Sequence, residues 1–158
     1  MDRLRVLFLC TGNSARSQIA EGLFRKLSRG RADVFSAGTA PEAEVHPLAV
    51  KVLRERFQVN TDDLYPKHLN RFLSHTFDYV ITVCDRTAEA CPTFPGDPER
   101  IHWSFEDPAT ADDEEARRRA FELVANGLAA RMRIWMALPA VHQRLEAAGA
   151  RDLRHSRA

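Results

Sequence analysis

The chain has 158 residues, 44% of them hydrophobic and 28% charged, with a formal net charge of +1. That is the profile of an ordinary globular protein able to bury one core. It carries no global field that would draw it to nucleic acid or a membrane surface, and no apolar run approaches the roughly 18 residues that span a bilayer.

Arg5–Leu9 is apolar on both faces and reads as a central, parallel strand. The segment lacks a signal peptide's small-residue cleavage pattern, so a cytoplasmic protein is expected. Arg16–Leu27 repeats Ile19, Ala20, Leu23, Phe24 and Leu27 at helical spacing and stops at Ser28–Gly30. Asp33–Ala37 is a second strand, closed by Gly38. His46–Arg56 reads as a helix with Pro47 in its first turn, and Pro66–Leu73 as a shorter helix. Phe77–Cys84 is rich in β-branched and aromatic residues and reads as an interior strand. Asp85–Pro98 is a Pro-rich loop, and Arg100–Trp103 is a fourth strand. Glu114–Leu138 is a long helix that Pro139 kinks or ends. The cluster Arg117–Arg119 falls within it, after the acids Asp112–Glu115, an order that suits the helix dipole. Arg144–Ala158 is polar, with a frayed end.

One domain over 1–158 is therefore expected, with 139–158 as a partly helical or frayed polar extension. Alternating strands and helices predict an α/β fold with a parallel sheet covered on both faces. Ligands in such sheets bind where strand C-termini meet helix N-termini. Cys10, Cys84 and Asp107 all follow strand ends.

The segment LRVLFLCTGNSARS carries the chemistry. A buried strand delivers Cys10 to a loop of small and polar residues, Thr11, Gly12, Asn13, Ser14 and Ala15, which opens a helix at Arg16 and Ser17. Loop amides and the positive helix end favour thiolate, the nucleophilic form. With the Arg16 guanidinium they can hold a tetrahedral oxyanion against the sulfur. Asn13 suits a positive-φ position, and Ser17 either caps the helix or donates to Cys10.

Three cysteines, an odd number, argue against a purely structural disulfide framework. Cys84 and Cys91 lie seven apart with no second pair, which disfavours zinc. A core role explains Cys84, which closes an apolar strand, but not Cys91, which lies in a loop. A redox reading explains both: Cys84 attacks an oxidised or adducted Cys10, and Cys91 takes over the disulfide by exchange. Asp107, before Pro108, is a candidate proton donor for a departing oxygen. Glu106 competes for that role, and a plain Asp-Pro turn is the alternative. The six histidines, His46, His68, His75, His102, His142 and His155, show no metal-ligand spacing, and there is no cofactor motif.

These residues carry a resemblance. CTGNSARSQ is similar to the anion loop of the low-molecular-weight tyrosine phosphatase fold. VITVC ending at Cys84, the Cys91-Pro92 pair and HWSFEDPA (His102–Ala109) resemble the thioredoxin-coupled arsenate reductases within it. The similarity runs from about Arg5 to Leu138. It implies a three-layer αβα fold with a four-stranded parallel sheet. It also implies that Cys10 attacks arsenate, with phosphate or sulfate as analogues of that anion. Arg16 and the loop (Thr11 to Ser17) would hold the oxygens, and Asp107 would protonate the leaving hydroxide. Cys84 would release arsenite by forming a Cys10–Cys84 disulfide, and Cys91 would convert it to Cys84–Cys91. Thioredoxin or a related dithiol protein would reduce the product. Ala15 stands where some relatives carry another Cys.

Two other functions fit parts of the pattern. A tyrosine or small-molecule phosphatase needs Cys10, Arg16 and Asp107 but neither Cys84 nor Cys91. An oxyanion- or redox-sensing module would bind the anion without turnover.

Overall fold

The apolar N-terminal run becomes the inner strand because both of its faces require cover. In the computed structural model, which describes residues 3–84 and 92–156, β1 (Leu4–Cys10) lies between β2 (Ala32–Gly38) and β3 (Tyr79–Thr82). β4 (Glu99–His102) follows β3, giving the order β2-β1-β3-β4 with every pairing parallel. The order reverses between β1 and β3. A crevice opens at the C-terminal ends of the strands at such a point, and Cys10 ends β1 there.

Four longer helices join this sheet: α1 (Arg16–Leu27), α2 (Pro47–Phe57), α3 (Glu114–Met136) and α4 (Pro139–Ser156). Alternation along β1 sends Leu4, Val6, Phe8 and Cys10 to one core, shared with Phe24 of α1, Leu53 of α2, Leu128 and Trp135 of α3 and Leu145 of α4. Leu7 and Leu9 point the other way, into a smaller core with Phe72, Phe77, Val80 and Phe94. Each fully buried Leu or Phe contributes roughly 1.5–3 kcal/mol by leaving water.

Several boundaries differ from expectation. Pro66–Leu73 is not a helix. Only Leu69–Phe72 forms one 3-10 turn, and the residues before it are used as strand partners: Gly38 N–H donates to the Lys67 carbonyl at 2.8 Å, and His68 pairs with Gly38. The expected strand Phe77–Cys84 keeps ladder geometry only over Tyr79–Thr82; Val83 N–H still reaches the Leu9 carbonyl at 2.9 Å, and Cys84 lies past the ladder. Of the two outcomes expected at Pro139, the long helix ends, at Met136, and is not kinked. Pro139 begins α4, where a missing N–H costs nothing. Val141, Leu145 and Ala148 of that helix are buried in a segment that composition reads as polar. Much of the expected Asp85–Pro98 loop, including Cys91, lies outside the described residues.

Candidate active site

The loop from Cys10 to Arg16 is shaped by a segment that follows β2. Ala40 N–H donates to the Thr11 carbonyl, Glu42 N–H to Gly12 and His46 N–H to Ser14, each at 2.9 Å, and Thr39 N–H donates to Cys10 at 3.3 Å. C=O and N–H of a trans peptide point in opposite directions. With the carbonyls of Cys10, Thr11, Gly12 and Ser14 drawn outward, the amides of Thr11, Gly12, Asn13 and Ala15 turn inward. Asn13 N–H accordingly donates to Cys10 Sγ at 3.3 Å. Asn13 has φ 47°, the left-handed conformation expected of it. Ala15 caps α1 without a side-chain bond, so the first-turn amides are left for an anion.

Cys10 is 2% exposed. The Ser17 hydroxyl lies 2.7 Å from its sulfur and Ala15 is the N-cap, so of the two roles expected for Ser17 the structure places it on the thiol and not at the cap. Burial pushes the Cys10 thiol up from its usual value. The Ser17 hydroxyl and amide, the Arg16 charge and the Asn13 amide pull it down. The loop therefore moderates the cost of burial rather than reversing it, which tempers the expectation of a thiolate-favouring pocket.

Behind the loop lies a buried polar network. Asn13 Nδ2 donates to Ser17 Oγ at 2.7 Å and to Ser36 Oγ at 3.0 Å, and Ser36 donates to Glu21 Oε1 at 2.6 Å. Asn13 Oδ1 accepts from Lys67 N–H at 2.8 Å and from Gln18 Nε2 at 3.1 Å. Glu21 is 1% exposed and is balanced by Arg25 at 2.8 Å and Lys67 Nζ at 3.7 Å. Ser36 donates onward because a carboxylate can only accept, and Ser17 donates to the sulfur when Cys10 is a thiolate.

Arg16 is held by its own donors. Its Nη1 donates to the Phe105 carbonyl at 3.0 Å, and its Nη2 lies 4.0 Å from Asp107 Oδ2. Asp107 Oδ1 accepts the Ala109 amide at 3.0 Å, so the turn reading of Asp-Pro is also realised. A cavity of about 160 Å³ is lined by Cys10, Thr11, Gly12, Ser14, Ala15, Arg16 and Asp107, with Ala40, Glu42, His46 and Ala109. A neighbouring cleft of about 450 Å³ lies between Thr11, Arg16, Cys84, Phe105, Glu106, Asp107 and Thr110. Cys84 is a buried thiol, and Thr11 Oγ1 is 3.7 Å from its sulfur. Glu106 lines this second cleft and not the cavity over Cys10, while Asp107 lines both.

Sequence reading missed Glu42, Ser36, Glu21 and Lys67, and read His46 only as a helix start and a histidine without metal-ligand spacing. Among the described residues no cluster of three or more His, Cys, Asp or Glu is placed to hold a metal, and no helix is long and apolar enough to cross a membrane.

A thiol at the C-terminal end of an inner parallel strand, ringed by inward amides and an arginine at a helix start, defines a cysteine-based oxyanion site in a phosphatase-like α/β fold. The chain belongs to the low molecular weight phosphotyrosine protein phosphatase family, whose model matches residues 5–148. It is 40% identical over 117 residues to an arsenate reductase of Halalkalibacterium halodurans, covering 73% of this chain and 83% of that protein. It is 34% identical over 136 residues to an arsenate reductase of Oceanobacillus iheyensis, covering 85% of this chain and 96% of that one. Among solved structures, a thioredoxin-dependent arsenate reductase of Corynebacterium glutamicum aligns with TM-score 0.64 at 32% identity; the match covers 83% of this chain and spans 61% of that one.

Proposed function

We propose that this protein is an arsenate reductase in which Cys10, Cys84 and Cys91 act in series. The observation that carries this reading is the second buried thiol. Cys84 follows the strand beside β1, and the Thr11 hydroxyl of the anion loop reaches it at 3.7 Å. A phosphatase has no use for a thiol there. The similarity to arsenate reductases at 34–40% identity supports the same reading.

The steps follow from the chemistry. Cys10 thiolate attacks arsenate held by the loop amides and Arg16, forming an S–As(V) bond as hydroxide leaves with a proton from Asp107. Cys84 thiolate then attacks Cys10 Sγ. The S–As bond breaks, its electron pair stays on arsenic, and arsenite departs as the Cys10–Cys84 disulfide forms. Cys91 attacks Cys84 and releases Cys10 as thiolate. A thioredoxin-type dithiol protein in the same compartment, the cytoplasm, reduces the Cys84–Cys91 disulfide. The test is arsenite production with a thioredoxin system. Single Ser variants at Cys10, Cys84 and Cys91 are each expected to abolish repeated turnover. Full activity in Cys84→Ser would overturn the relay.

The Arg16–Asp107 arrangement also favours a side activity as a phosphatase. Turnover of an aryl phosphate that survives Cys91→Ser would reveal it, because that chemistry needs only the first thiol.

A further inference from the structure

His46 serves three purposes that its sequence position does not advertise. Its backbone amide braces the anion loop at the Ser14 carbonyl, 2.9 Å away. Its Nδ1 accepts the Leu48 amide at 3.1 Å and so caps α2. Its ring packs on buried Phe121 of α3 with centroids 4.6 Å apart and planes at 33°. The same residue lines the Cys10 cavity beside Ser14, Ala15 and Arg16.

The cap settles the tautomer. A ring nitrogen that accepts the Leu48 N–H carries no proton, so in the neutral ring the proton sits on Nε2. Burial lowers the His46 pKa from its usual value; Glu42 and Asp107 pull it up, and Arg117 pushes it down. The neutral ring thus presents one donor, held by stacking on one side and by the cap on the other.

We propose that His46 is an oxyanion-binding residue, its Nε2–H donating to an oxygen of the tetrahedral anion seated over Cys10. The proposal rests on the oxyanion-site reading given above. It adds a side-chain donor from the start of α2 to the loop amides and Arg16, so that the anion is gripped from two helix N-terminal regions. The fixed tautomer makes the donor pre-organised; the Glu42 carboxylate that lines the same cavity is the rival acceptor for that N–H, and phosphate must displace it from the donor.

The competing view is that His46 only caps and packs. Asn at this position keeps a good N-cap but is too short to reach into the cavity. Binding of inorganic phosphate to the full chain, measured by calorimetry, separates the two views. For His46→Asn the expected result is affinity weaker by about tenfold, the scale of one lost hydrogen bond to a charged group, in a chain that still folds cooperatively. His46→Ala should lose the same affinity and melt roughly 2–4 °C below His46→Asn through the missing cap. Wild-type affinity in His46→Asn would overturn the proposal. In the wild-type chain, phosphate titration should also shift the His46 Nε2 resonance. An unmoved resonance while phosphate binds would overturn the proposal even if the variants fold poorly. If the wild-type chain itself binds no phosphate, the oxyanion site falls first, and this inference falls with it.

Discussion

Asn13 donates from its side-chain amide to Ser17 Oγ at 2.7 Å and so holds that oxygen beside the Cys10 sulfur. When Cys10 is a thiolate its sulfur can only accept, and the Ser17 hydroxyl, 2.7 Å away, then donates to it. A residue in the left-handed conformation at the top of the loop thus positions the hydroxyl that stabilises the nucleophile.

Ser17→Ala removes one of the influences that lower the Cys10 pKa while leaving the burial that raises it. The thiol pKa is expected to rise further, so at a fixed pH less thiolate is present. Alkylation of Cys10 by iodoacetamide should slow by about tenfold, the scale of a lost hydrogen bond to a charged acceptor. The pH profile of the rate should shift to higher pH. An unchanged profile would remove Ser17 from the activation of Cys10.

Asp107→Asn separates proton donation from turn structure. The Asn side-chain oxygen can still accept the Ala109 amide that Asp107 accepts at 3.0 Å. Folding stability should stay within about 0.5 kcal/mol. The single-turnover rate of arsenite formation should fall about 10²–10⁴-fold, the usual contribution of a positioned acid.

Gly38 ends β2 directly under the anion loop. A Cβ there would sit 2.4 Å from the Thr11 carbonyl oxygen and 3.0 Å from Asn13 N and Asn13 Cβ, and those atoms are backbone or tightly bonded. Gly38→Ala should therefore displace the loop. A stability loss of about 1–3 kcal/mol or more in urea titration is expected, together with loss of phosphate binding. Gly30 has open space around it, but at φ 69° its substitution by Ala strains the backbone alone; phosphate binding should survive there.

Glu21→Gln tests the network behind the loop. The variant keeps an oxygen for Ser36 but leaves Lys67, whose side chain is 8% exposed, without its buried counter-charge. Burial lowers the Lys67 pKa and Glu21 opposes it, so the variant should lower it further. A depressed lysine binds its proton less tightly when folded than when unfolded. The penalty is present at neutral pH and is relieved as pH rises through the folded pKa. Glu21→Gln should cost about 3 kcal/mol at pH 7 and regain part of it in alkaline denaturation curves. Adding Lys67→Met should restore most of the loss.

The strand–loop–helix unit from β1 to α1 was legible in the chain, because its constraints are local. An apolar run, a stretch of small polar residues and a helical stripe follow one another, and Cys10, Asn13, Arg16 and Ser17 fall where each is needed. The parallel sheet was legible in the alternation of elements, but the order β2-β1-β3-β4 came from the tertiary structure.

Tertiary structure alone decided what surrounds that unit. The 39–46 segment turns the loop amides inward through bonds between residues some thirty positions apart in the chain, and no local pattern announces that. It also denied Pro66–Leu73 its helix, since Lys67 and His68 were needed beside Gly38. It gave α4 a buried stripe in a segment whose composition is polar, and it set Cys84 across Thr11 from the anion loop. Contacts between neighbours in sequence are written in periodicity and spacing; contacts made by closing a parallel sheet depend on where the crossovers bring distant backbone together.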